Sequence, residues 1–128
     1  MTDRTWQVCP GSASEYSVEI HLYATRAAAR KAANEENPGA WTRGARACTT
    51  MHFNGQTPTV SIHLSGPDLT LNILLHEFAH ASIHMAALKR APIYLGNDET
   101  MPYILGDLVD GATEAGLIEY ALNHRGDE

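Results

Sequence analysis

The sequence predicts an α+β fold: a small, mostly antiparallel sheet packed against a central helix and a final helix. Three observations carry that expectation. Two β-rich runs, Arg46–Phe53 and Thr59–Leu64, are joined by a linker containing Asn54-Gly55, a strong hairpin signal. Leu69 to Arg90 holds neither Gly nor Pro, which allows a helix of roughly six turns. The element order is strand, helix, hairpin, central helix, final helix, which is an α+β order.

The elements follow in chain order. Residues 16–23, YSVEIHLY, alternate loosely and are rich in β-branched and aromatic side chains, as a strand should be. Ala24 to Glu36 is full of Ala, Arg and Lys and reads as a helix with Thr25 as its N-cap. Asn37-Pro38-Gly39 ends it. In the second hairpin strand Val60, Ile62 and Leu64 face one side, and Ser61 and His63 the other. Ser65-Gly66-Pro67-Asp68 breaks the chain, and Asp68 is the expected N-cap of the central helix. Leu69, Leu71, Leu74, Phe78, Ile83 and their apolar neighbours cover most of that helix's circumference, so it reads as buried. Ala91–Met101 is a loop. Pro102 suits a first helical turn, and Pro102–Asn123 reads as one helix despite Gly106, Gly111 and Gly116. Each glycine costs about 1 kcal/mol relative to Ala. Their expected role is to let this helix lie close against the central one.

The chain has 128 residues, enough for a single domain over 1–128 with a real core. Its net charge of −6 argues against general nucleic-acid or anionic-membrane binding. No apolar run approaches about 18 residues, so no membrane span is expected. The first residues, MTDRTWQVCPGSAS, lack the basic-then-apolar order of a secretory signal. Cys9 and Cys48 are too few for a disulfide framework, and a cytoplasmic location is expected. Charge is uneven. Five basic residues stand against two acids between positions 21 and 50, and eight acids against one basic residue between 91 and 128. Two solvated faces are the simple reading.

Three of the seven histidines fall within nine positions. His76-Glu77-Phe78-Ala79-His80 is an HExxH motif on the central helix. Residues i and i+4 share a helix face, about 6 Å apart along the axis. Two imidazoles placed so can converge on one metal, and the Glu beside the first can serve as a general base without ligating it. The simpler alternative is a pair of core histidines bonded to backbone.

The segment LLHEFAHA, residues 74–81, resembles the active-site helix of zincin metallopeptidases. The preceding TVSIHLS, residues 59–65, resembles the edge strand found before that helix in the family. The resemblance implies a zincin fold holding one zinc ion per chain at His76 and His80. It implies Glu77 as general base and a peptide or protein substrate paired to the Thr59–Leu64 strand. Tyr94, Tyr103 and His63 are candidates for electrophilic assistance.

A catalytic zinc ordinarily takes three protein ligands and a water. His84 extends the i, i+4 series but sits about 12 Å from His76 along the axis. Glu99 lies 19 residues after His80, in a helix-opening segment where acids are ordinary. Glu114 is the favoured third ligand. With Leu117 at zero on a wheel of about 100° per residue, the apolar face centres near 70° and Glu114 falls at about 60°. A carboxylate in a buried stripe needs a cation. Asp110, one turn earlier, is a candidate acceptor for a ligand imidazole N–H. The segment ATEAGLIEYAL, residues 112–122, also resembles the glutamate helix of small gluzincins and ImmA/IrrE-type peptidases. The expected activity is zinc-dependent peptide hydrolysis. The alternative is a non-catalytic zinc-binding module that engages a protein partner.

Overall fold

A computed structural model describes residues 4–11, 16–54, 57–88 and 99–124. It has strands β1 (Arg4–Val8), β2 (Ser17–Tyr23), β3 (Ala47–Asn54) and β4 (Thr57–Ser65). The helices are α1 (Arg26–Glu36), α2 (Leu71–Leu88), α3 (Thr100–Glu114) and α4 (Leu117–Asn123). The fold is α+β, with a mixed sheet of order β1-β2-β4-β3. The β1–β2 and β3–β4 ladders are antiparallel, and the central β2–β4 ladder is parallel. No helix among the described residues is long and apolar enough to cross a membrane.

The alternation read in β4 sets the two faces of the sheet. Val18, Ile20 and Leu22 of β2 lie in register with Val60, Ile62 and Leu64 of β4. All six are buried in one core with Leu74, Phe78 and Met85 of α2 and Ile104 and Leu108 of α3. The opposite face carries Ser61 and His63, also buried, and α1 packs over β3 and β4. Small side chains, Ala29 and Ala33, allow that close packing. The Thr25 hydroxyl caps α1 by accepting the Ala28 N–H at 3.1 Å, as expected.

Glu36, the last residue of α1, ends inside this polar layer. His52 Nδ1 and His63 Nε2 lie 3.3 and 3.5 Å from its Oε1, which also accepts the Thr50 hydroxyl. Tyr23 hydrogen-bonds His63 Nδ1 at 3.0 Å, and the His21 ring stacks on His63. Burial alone would raise the Glu36 pKa. The close approach of His63, the bond from Thr50 and the charges of His63 and His52 outweigh it, and the carboxyl is brought down to about 2.

Three local expectations need correction, and one strand, β1, is not among the expected elements. β1 has no strong sequence signal, because only Trp6 and Val8 of its five residues are buried. Asp68 does not cap α2. It is buried in a 3₁₀ turn, where Arg26 holds both carboxylate oxygens at 2.6 and 2.7 Å, and the Thr70 hydroxyl accepts the Ile73 N–H instead. The final helix is two helices, because Gly116 adopts φ +82° and starts α4 on a new axis. Lastly, the glycine that permits close approach is Gly111, and its neighbour is β1. A Cβ there would stand 2.6 Å from Val8 Cγ1, whereas Gly106 has open space around it.

Candidate metal and catalytic site

α2 presents its HExxH segment to a cleft of about 660 Å³. The facing wall is the 40–48 segment and the start of β3. His76 Nε2 and His80 Nε2 stand 3.2 Å apart, with ring planes 75° apart. Two nitrogens bound tetrahedrally at 2.0–2.1 Å would be separated by about 3.3–3.4 Å. The spacing of the pair suits one shared ion, and equally an imidazole–imidazole hydrogen bond. Ligand atoms of His76, Glu77 and His80 all lie within 4.8 Å of one another, the one such group among the described residues.

Glu77 differs from its neighbours in burial. Its side chain is 7% exposed, against 67% for His76. The helix is thus not buried all round: both imidazoles face the open cleft, and Leu75 and Ile83 are also exposed. The exposed imidazoles carry no burial cost that an ion would have to offset. The buried carboxylate of Glu77 does, and its partner is a hydroxyl. Thr49 Oγ1 donates to Glu77 Oε1 at 2.8 Å and lies 3.3 Å from the Glu77 carbonyl oxygen. Glu77 Oε2 is left on the His76 side, 4.0 Å from its Nε2. One carboxylate oxygen is anchored and the other points toward the imidazoles.

β3 supplies Thr49 through the register of the hairpin. Thr49 pairs with Ile62, so it points to the face carrying the core and α2, while Cys48 pairs with His63 on the other face. The Cys48 thiol is buried and reaches the Ala40 carbonyl at 3.5 Å. Burial, with the charges of Glu77 and Glu36, pushes its pKa up to about 11, so it is no nucleophile. Cys48 and the exposed Cys9 are both free thiols.

The acids considered for the third position are not drawn into the histidine pair. Glu114 is exposed at the end of α3 and is not grouped with His76 and His80. The wheel that centred it on an apolar face was referenced to Leu117 and Ile118, which belong to α4 beyond the Gly116 break. Glu99 is exposed at the N-cap of α3, where its side chain bonds the Tyr103 hydroxyl and raises the phenol's pKa. Asp110 is exposed as well. His84 is half-buried, and burial and the nearby His80 lower its pKa.

Two expectations about substrate handling also change. β4 is paired on both sides, by β2 and β3, so no peptide can add to it. The edge strand beside the cleft is β3. His63 points to the α1 side of the sheet, away from Glu77, and cannot assist there. Tyr103 is exposed, and Tyr94 falls outside the described residues. Sequence reading missed Thr49, although its pairing opposite Ile62 follows from the hairpin once that strand's core face is known.

Comparison of the chain with protein-family models, curated proteins and solved structures finds no match.

Proposed function

We propose that this chain is a zinc-dependent peptidase of the zincin type. The supporting observation is the His76–His80 nitrogen pair, 3.2 Å apart, beside a buried carboxylate whose outer oxygen faces it. In this reading His76 and His80 hold the zinc. The third ligand in this reading is Glu114, with Glu99 or His84 as alternatives; none of the three is grouped with the pair, so the one that binds must move to reach the ion. Zinc, when bound, acidifies a coordinated water and polarises a carbonyl. Glu77 does the proton work. Its Oε2 accepts a proton from the attacking water and passes it to the departing amine, while Thr49 fixes the carboxylate through Oε1. An extended peptide pairs with the outer edge of β3, whose other edge is bonded to β4. That arrangement lays the scissile bond across the cleft toward α2.

The test is Glu77→Gln in zinc-loaded protein. The variant keeps its zinc and fold and loses about 10²–10⁴ in peptide-hydrolysis rate. Full activity in the variant, or a zinc-loaded wild type that cleaves nothing in a broad peptide library, overturns the peptidase reading. The second result leaves the non-catalytic binding module.

A further inference from the structure

Counted over the described residues, the cleft has a charge opposite to that of the chain. The protein carries 15 acidic residues against nine basic ones. Yet among the described cleft-lining residues two are arginines, Arg43 and Arg46, and the single acid is Glu77, which is already engaged by Thr49. Neither arginine has a hydrogen bond or ion pair with a carboxylate among the described residues. Arg46 is close enough to Asp68 to lower its pKa, but both Asp68 oxygens are taken by Arg26. Both guanidiniums are exposed and therefore hydrated and available.

The loop that bears them is held in place. Trp41 N–H donates to Asn34 Oδ1 at 3.0 Å, which ties the loop to α1. Cys48 Sγ–H reaches the Ala40 carbonyl. Ala45 N–H donates to the Thr42 carbonyl at 3.1 Å, closing a turn with Arg43 and Gly44 at its corners. Gly44 has φ +82°, the left-handed value of the third residue of a type II turn, which glycine adopts without strain. Arg43 is thus presented at a fixed corner, and Arg46 directly precedes β3, the strand proposed to receive the peptide.

We infer that Arg43 and Arg46 form a carboxylate-recognising subsite, so that the preferred substrates carry an acidic side chain or a free C-terminal carboxylate at the β3 end of the cleft. The inference rests on the peptidase reading above. Guanidinium forks match carboxylates bidentately, and a cleft lined by one sign of charge concentrates the opposite one. Two exposed pairs give a preference of about five- to tenfold, which weakens with salt.

The experiment uses zinc-loaded wild type, Arg43→Gln, Arg46→Gln and the double variant. Three decapeptides of one backbone are compared: acidic with an amidated C-terminus, its Asn/Gln counterpart, and that counterpart with a free C-terminus. Binding is read by calorimetry on the Glu77→Gln background and cleavage by mass spectrometry on the active one. Wild type should bind and cleave a carboxylate-bearing peptide five- to tenfold better than the neutral one. The double variant should lose that preference while keeping zinc affinity. The peptide that responds identifies side chain or C-terminus as the source. Equal handling of all three peptides by an active wild type overturns the subsite and leaves the peptidase standing. A preference that persists in the double variant also overturns it, by assigning carboxylate recognition to the metal. Equal binding of all three peptides overturns the subsite whether or not any is cleaved, and the peptidase reading falls separately, on the broad library above.

Discussion

Thr49→Val isolates the contact that joins the edge strand to the HExxH helix. Valine keeps the shape and removes the hydroxyl that donates to Glu77 Oε1 at 2.8 Å. Losing a hydrogen bond to a charged group costs about 1.5–3 kcal/mol. Thr49 is only half-buried, so water reaches part of the vacated position and the lower figure applies. At about 2.1 cal/mol/K per residue, a domain of this length has an unfolding entropy near 0.27 kcal/mol/K. A loss of about 1.5 kcal/mol therefore lowers Tm by about 6 °C. The assay is urea and thermal unfolding followed by circular dichroism, in chelator so that metal binding adds nothing. The same substitution is then made in Glu77→Gln, where the acceptor is neutral and the bond is about half as strong. The cost there should drop by at least about 0.5 kcal/mol. Equal costs in the two backgrounds, or a cost under about 0.3 kcal/mol in both, would show that Thr49 does not anchor Glu77.

Two more expectations concern the scaffold. Gly111→Ala should destabilise by about 0.5–2 kcal/mol, because overpacking against Val8 exceeds the helix-propensity gain, while Gly106→Ala, with open space around it, should be neutral or stabilising; urea midpoints of the pair check the opposite signs. Glu36 has its carboxyl lowered from 4.5 to about 2, so its contribution is present above about pH 4.5 and is lost as pH falls toward 2. Linkage sets a ceiling of about 3 kcal/mol, and with the side chain 23% exposed about 1–2 kcal/mol is expected. The stability gap between wild type and Glu36→Gln should accordingly be largest near neutrality and shrink by that amount near pH 2; a gap that does not change with pH would refute the His52–Glu36–His63 arrangement.

How much could be read from the sequence follows the range of the interactions. Thr25 capping α1, the β3–β4 hairpin and the HExxH pair depend on residues a few positions apart, and each was legible. The β2–β4 ladder pairs residues more than forty positions apart, and nothing local announces its parallel sense. Asp68 looked like a cap because a capping residue and a buried ion-pair partner share the same chemistry; only Arg26, brought in from α1, decides between them. Gly116 hid the α3–α4 break because glycine is tolerated inside helices as well as at their ends, and the phase of the Glu114 wheel failed with it. The layer of His21, His52, His63 and Glu36 comes from four separate elements or element ends, so no spacing rule could assemble it. At the site itself, the motif gave the two imidazoles and the carboxylate. Their exposures required the fold, and so did the anchoring hydroxyl of Thr49.

The claim underlying all of this is that the facing nitrogens of His76 and His80 hold one zinc ion. Elemental analysis of tag-free protein after zinc reconstitution and desalting measures it directly, with His80→Ala run alongside. The account predicts about one equivalent of zinc per chain in the wild type and its loss in the variant. Well under half an equivalent in the wild type, or the same zinc content in His80→Ala, would contradict it.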